Sequence, residues 1–326
     1  MRYIGRVIVV VGAGIIGASI ARRLAMAGKR VRLIDAREPG RGATHAAAGM
    51  LAPGGEFDAD SIWLRLALRS LSLYPDWIRE LREETGMAID YSVNGALQTG
   101  DGLAERCERQ RRLGIPCEMR GDGAAFYPGD GAVDPRDLFA AVIASCRRLG
   151  VEIVAGQPVE QIDDSDGPLV IAAGAWSGAI PVFSSGRRVE LPGTSPVKGH
   201  LIAYRLAPGT LPHILRRDHT YIVQRASGLT IAGSTSQEIG FDPAVDPAIC
   251  HQLRQRAEAL WPVLCEHQPC EAWTGFRPRC ETGEPAIGRV DGTRIWLACG
   301  HFRNGILLAP ITAEIVAGDI LATGER

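Results

Sequence analysis

The residues whose types and spacing suit chemistry most clearly are Gly12-Ala13-Gly14-Ile15-Ile16-Gly17, followed at some distance by Asp35. In such a turn Gly12 permits an abrupt change of direction, Gly14 lets a pyrophosphate approach the backbone, and Gly17 lets a helix lie close to its strand. The amides around Ile15 and Ile16, together with the positive end of the helix dipole, attract phosphate. Asp35, with Ala36 beside it, ends the following strand and is placed to accept hydrogen bonds from an adenosine ribose. The chemistry is dinucleotide binding, and the pattern alone does not choose between FAD and NAD.

The elements that position these groups are legible on either side. Val7 to Val11 is a β-branched run, Ile16, Ile20 and Leu24 share one helical face, and Gly28 ends that helix with Lys29 and Arg30 behind it. Val31 to Ile34 is the second strand. Beyond it lies the segment Thr44-His45-Ala46-Ala47-Ala48-Gly49-Met50-Leu51-Ala52-Pro53. Its small side chains suit either a close backbone approach to a bulky ligand or simple helix packing. Its place just past the ribose acid favours the ligand.

Further on, Asp60-Ser61 opens a helix that Pro75 should kink or restart and Gly86 should end. Ile89 to Thr99 reads as a hairpin across Asn94-Gly95. A charged helix follows from Gly102 to Leu113, and Asp134-Pro135 caps another that runs to Leu149. Strands are expected at Val151 to Ala155 and Leu169 to Ala172, the latter narrowing into Ala173-Gly174-Ala175-Trp176. Val189 to Ser234 reads as consecutive strands, Asp246-Pro247 opens a helix, and Cys270 to Arg279 is strand-like. Ile295 to Cys299 is a last buried strand, and Gly305-Ile306 starts the final helix, whose first amides would favour negative charge. A Rossmann-type start, an antiparallel middle and a returning end imply interleaved domains.

Composition narrows the class. At 326 residues, with 46% hydrophobic and 22% charged residues and a net charge of −1, the chain reads as a soluble globular protein. Nothing suggests a nucleic-acid or membrane partner. Arg2 and Arg6 before an apolar run superficially resemble a secretory signal, but the glycine turn and Arg22-Arg23 explain that run better. Ile306 to Leu321 reads as too short and too charged to span a bilayer. None of the eight cysteines forms a C-x-x-C pair, and Cys265, His267 and Cys270 lack zinc-knuckle spacing. Reduced thiols, a cytoplasmic location and no metal centre are the expectation.

With Ala46 to Pro53, Leu169 to Trp176, P-V-K-G at Pro196 to Gly199, Y-I-V at Tyr221 to Val223, G-F-R-P at Gly275 to Pro278 and G-H-F-R-N-G-I-L-L-A-P at Gly300 to Pro310 added to the glycine turn, the chain resembles the D-amino-acid oxidase family of FAD enzymes. The likeness is greatest to its branch acting on glycine in thiamine biosynthesis. The resemblance implies an α/β plus α+β architecture, a Rossmann-type FAD-binding domain (1–85, 133–182 and 280–326) interleaved with an antiparallel-sheet substrate domain (86–132 and 183–279). It implies non-covalent FAD held by Gly12, Gly14, Ile15, Ile16, Gly17, Asp35, Ala36, Thr44, Ala47, Ala48, Gly49, Met50, Ala173, Gly174, Trp176, Gly300, His301, Arg303, Asn304, Gly305 and Ile306. Arg277 would clamp a substrate carboxylate, Tyr221 would donate to it, and Arg303 would lie beside the flavin.

The reaction so implied is hydride transfer from the α-carbon of glycine or a small amine or D-amino acid, giving an imine that hydrolyses to a 2-oxo acid. Dioxygen would be reduced to hydrogen peroxide. No general base is nominated, although His219, His301 and Glu56 lie near the motifs. A homo-oligomer is compatible with the sequence. Rival readings are a dehydrogenase passing electrons to a quinone or partner protein, an NAD-dependent enzyme sharing only the first unit, and a flavin-holding subunit without turnover. Four departures bear on the substrate: Ser236 in place of a pocket methionine, His45 in place of a small hydroxyl residue near the cofactor, Cys280 in the loop after Arg277, and a Gly156 to Pro168 stretch too short for the usual β-meander.

Overall fold

The β-branched run forms the strand Ile8–Val11 at the centre of a six-stranded sheet, in a computed structural model that describes residues 7–164 and 167–323. Arg2 and Arg6 lie outside the described residues. Val31–Ile34 and Leu169–Ile171 flank the first strand in parallel, and Glu152–Val154 and Ile295–Cys299 extend the sheet outward, also in parallel. Ala286–Arg289 closes one edge antiparallel. Strands covered on both faces read as unbroken apolar runs, and all of Ile295–Cys299 is buried.

Helices Ile15–Met26, Ile62–Thr85, Pro135–Arg148 and Gly305–Ala322 share one core with this sheet. The last of these is apolar all round because it is covered by protein on most sides. It is 18 residues long with a mean hydropathy of 1.7, enough by length and composition to cross a membrane. That corrects the expectation of a segment too short and too charged. Its buried residues pack into the core beside the first helix instead.

The second sheet has eight strands, in the order Glu271–Cys280, Thr194–Arg205, Leu229–Gly233, Thr220–Gln224, Ile214–Arg217, Ala96–Thr99, Ala125–Tyr127 and Glu118–Met119. Its pairings are antiparallel except that between Ile214–Arg217 and Ala96–Thr99. The chain thus passes repeatedly between the two sheets: strands at 8–34, 152–171 and 286–299 build one, and strands at 96–127 and 194–280 build the other.

Three local expectations are corrected. Helix Ile62–Thr85 runs through Pro75 without a break, from a Ser61 cap to the left-handed Gly86. A proline inside a helix costs about 3 kcal/mol. Tyr74, Trp77, Ile78 and Leu81 around it are buried, each worth about 1.5–3 kcal/mol, so packing wins. The Asn94-Gly95 hairpin does not form. The Gly95 N–H goes to Asp130 O (2.9 Å), Tyr91–Ser92 joins a small sheet with Gly131–Val133, and Ala96–Thr99 enters the large one. Cys107 and Cys117 are not reduced thiols but a disulfide with 5.4 Å between Cα atoms. The left-handed Gly114 folds the chain back between them, bringing the Cα atoms within bridging range. The other six cysteines are free. In the shortened region, Ile162–Asp163 pairs with Val182–Ser184, which in turn pairs with Arg187–Val189.

Candidate active site

One cavity of about 820 Å³ is lined from both sheets. At one end stand Gly12, Gly14, Ile15 and Ile16. Gly12 is left-handed (φ 103°), and a Cβ there would overlap Ala172 O. Thr44 Oγ1 accepts the Ile15 N–H at 3.0 Å, and Gly14 brings no side-chain cap to the helix start. The Asp35 carboxylate is oriented by two backbone amides, Ala13 N–H on Oδ2 (2.8 Å) and Arg37 N–H on Oδ1 (2.9 Å), and lines the cavity together with Ala36.

Thr44, Ala47, Ala48, Gly49 and Met50 form the next stretch of wall. This small-residue segment lines the cavity and packs against a strand at the same time. A Cβ on Gly275 would overlap Ala46 Cβ, so the segment packs against the substrate sheet with no room for a larger residue. Trp273 Nε1–H donates to Ala46 O (3.1 Å), and buried Arg225 donates to Ala48 O and to Val133 O (3.0 Å). These bonds hold the segment's backbone against the cavity. Opposite lie Ala173, Gly174 and Trp176; the Arg37 guanidinium sits 4.3 Å from the Trp176 ring centre, and Phe241 stacks on that ring at 4.7 Å.

His301, Arg303, Asn304, Gly305 and Ile306 line the far end. Asn304 leaves the start of the final helix without a side-chain cap, so its first amides are free to meet a ligand. Tyr74 Oη–H donates to Ile306 O (2.5 Å) and Ser70 Oγ–H to Leu307 O (2.6 Å), fixing that helix start. His301 Nε2 lies 3.0 Å from Thr312 Oγ1, and burial pushes its pKa down to about 4. At neutral pH it is an uncharged structural residue.

Two residues expected to contact the cofactor do not line the cavity. Gly17 is needed for packing, because a Cβ there would overlap Gly12 O. Gly300 makes a left-handed turn against Cys280. The side chains at residues 236, 45 and 280 also differ from expectation. The strand ends at Gly233 and the chain turns outward, leaving Ser236 exposed and off the cavity wall while Ser234 faces it. His45 is half-buried and likewise off the cavity wall. Cys280 is the buried last residue of a strand rather than part of a loop.

The substrate end is built on strand Glu271–Cys280. Arg277 Nη1 donates to Thr235 O (3.0 Å) and Nη2 to Ser234 Oγ (2.7 Å), and among the described residues it makes no ion pair. Its guanidinium lies over Gly199, where any Cβ would press into it. Burial lowers the Arg277 pKa, but a guanidinium remains cationic. Tyr221 is buried next to Ser234, and desolvation raises its pKa, so the hydroxyl is kept as a donor. Arg303 differs. Its Nε and Nη2 meet Glu56 Oε1 at 3.0 and 2.9 Å. Burial pushes its pKa down, but the charge and hydrogen bond of Glu56 outweigh that and raise it. Arg303 therefore arrives already neutralised, whereas Arg277 has only neutral partners and suits a carboxylate.

Sequence reasoning missed Ser234 and Arg225, and gave Glu56 no role. Arg216 and Gln98, which also line the cavity, were missed as well. Register would have found them: Gln98 pairs with Arg216 and Arg216 with Tyr221 across neighbouring strands, which a single sequence does not reveal.

The cavity's parts fit an adenine dinucleotide bearing a ring system: a glycine-rich cradle at one helix start, an oriented ribose acceptor, and a second helix start without a side-chain cap. Comparison with known proteins agrees. The family model described as DAO, FAD dependent oxidoreductase, matches residues 8–318. The bifunctional protein ThiO/ThiG of Synechocystis sp. is 33% identical over 96% of this chain. The match covers 51% of that relative, so the chain spans about half the length of the first curated relatives it matches. The glycine oxidase of Bacillus licheniformis is 32% identical over 96% of this chain and 92% of its own. The crystal structure of glycine oxidase from Geobacillus kaustophilus superposes with a TM-score of 0.91 at 30% identity, covering 97% of this chain and 95% of that one.

Proposed function

The chain belongs to the DAO family of FAD dependent oxidoreductases, with FAD as its cofactor, and we propose that it is an amino-acid oxidase acting on glycine or a small amine or D-amino acid. The observation that carries this reading is Arg277, a cavity-facing cation with only neutral partners beside a protonated tyrosine, in the same cavity as the dinucleotide cradle.

When bound, FAD supplies the acceptor for the hydride leaving the α-carbon, and dioxygen then takes up the electrons as hydrogen peroxide. The chain's own residues orient. Arg277 offers its guanidinium fork to the carboxylate, and Tyr221 adds a hydroxyl donor. Ser234 and Thr235 hold the fork in place. Glu56 keeps Arg303 from competing for the same anion. The uncapped amides at Gly305 would favour negative charge on a group held at that end of the cavity. The imine product hydrolyses to a 2-oxo acid, glyoxylate in the case of glycine, and ammonia.

We assign residues 1–85, 133–182 and 280–326 to the FAD-binding domain and the remainder to the substrate domain. A role in thiamine biosynthesis is supported by the relatives named ThiO/ThiG, and a cytoplasmic location suits that role.

The test is anaerobic mixing of the yellow holoenzyme with glycine, sarcosine and D-alanine, followed by air. Bleaching by at least one of them, then recovery of colour with stoichiometric peroxide, is expected. A flavin left oxidised by all three would remove the proposal.

A further inference from the structure

The carboxylate site continues sideways along the sheet. Tyr221 pairs with Arg216, and Arg216 pairs with Gln98. Directly opposed residues on neighbouring strands point to the same face, and strands lie about 4.8 Å apart. Gln98, Arg216 and Tyr221 therefore make a row on the cavity side of the sheet, with Gln98 roughly 10 Å from Tyr221 at the backbone. All three line the cavity.

The outer two members of this row are polar, buried and incompletely used. Arg216 is 6% exposed and Gln98 8%. Arg216 Nη1 donates to Asp130 Oδ2 at 2.7 Å, but its Nε and Nη2 have no partner, nor has Gln98 Oε1. Buried donors and acceptors left unpaired are costly, so two donors and an acceptor side by side mark a place for a polar group. Charge decides which. Arg216 has Asp130, and Arg106, on the same wall, has Asp58 at 2.7 Å. With each cation matched by its own carboxylate, a second anionic group would add an uncompensated charge next to Asp130.

From this row we infer that the substrate pocket extends past Tyr221 into a site for a neutral hydrogen-bonding tail, best matched by a carboxamide whose C=O accepts from Arg216 and whose NH₂ donates to Gln98. The inference rests on Arg277 and Tyr221 as the carboxylate site, and it widens the substrate class from glycine to amino acids with a short amide side chain.

Steady-state oxidation of D-asparagine, D-aspartate and D-alanine by the holoenzyme tests it, alongside Gln98→Leu, which removes the amide and keeps the volume. D-asparagine should exceed D-alanine in kcat/KM by about tenfold or more, and Gln98→Leu should cut that ratio about tenfold, through KM. A ratio near one, a variant that slows both substrates alike, or D-aspartate ahead of D-asparagine would each overturn the inference. If glycine, sarcosine, D-alanine and D-asparagine all leave the flavin oxidised, it is the oxidase reading that fails. The tail site is then read by titrating the flavin spectrum with succinamate and propionate, the deamino forms of asparagine and alanine. Tighter binding of succinamate by tenfold supports the site, and equal affinity removes it.

Discussion

Replacing Arg277 by alanine removes a cavity-lining cation that has no ion pair among the described residues; the other such arginine, Arg37, lies over the Trp176 ring. Its two hydrogen bonds, to Thr235 O at 3.0 Å and Ser234 Oγ at 2.7 Å, go to neutral groups, so their loss strands no buried charge. The substrate loses a paired, charge-assisted contact. Truncating one member of such a pair typically costs about 2–5 kcal/mol, equivalent to roughly 30-fold to several thousand-fold in affinity at 1.4 kcal/mol per decade. Arg303 cannot substitute, because Glu56 already occupies it. Arg277→Lys keeps the charge but loses the fork, and should fall between the two. The assay is oxygen uptake with glycine, read as KM and kcat separately, with the flavin-to-protein ratio as a check that the cofactor site is intact. Unchanged KM and kcat in Arg277→Ala, with flavin fully bound, would refute the clamp.

Other consequences are as direct. Asp35→Ala should lower flavin retention, read as the absorbance ratio after dialysis, since it removes both the ribose acceptor and the bonds from the Ala13 and Arg37 amides; full occupancy would count against the role. His301 has a folded pKa of about 4 against 6.5 unfolded, so the unfolded chain binds the extra proton between those values. Stability should be complete above pH 6.5 and fall toward pH 4 by about 1.4 kcal/mol per unit. His301→Gln should flatten that part of the urea-midpoint profile, and parallel profiles would contradict the burial. The Cys107–Cys117 link closes a loop with a sequence separation of 10, worth about 3 kcal/mol on a chain-entropy basis. Reductant should lower the Tm of the wild type but leave Cys117→Ala unaffected; an intact mass showing no bridge would rule the link out.

Much of this was legible because local sequence and global fold agree. The glycine turn needs Gly12 and Gly17 for reasons internal to one strand and one helix, so pattern reveals it. The Asp134 and Asp246 caps with a following proline gave helix starts at Pro135 and Pro247. What sequence alone hid was decided by long-range pairing. Pro75 is tolerated only because the residues around it are buried by elements far away in the chain. Asn94-Gly95 loses its turn to Asp130. Ser236 and Ser234 are two residues apart, so sheet alternation alone would face them the same way; only the end of the pairing at Gly233 separates them.

Gly199 sits opposite Gly275 in the pairing of the two longest strands of the large sheet. The fork of Arg277 thus rests on bare peptide, with no side chain there to trim. The proposed seat of the acid group is inherited from strand register, and a change of substrate preference falls to side chains elsewhere on the cavity wall, such as Gln98 or His219.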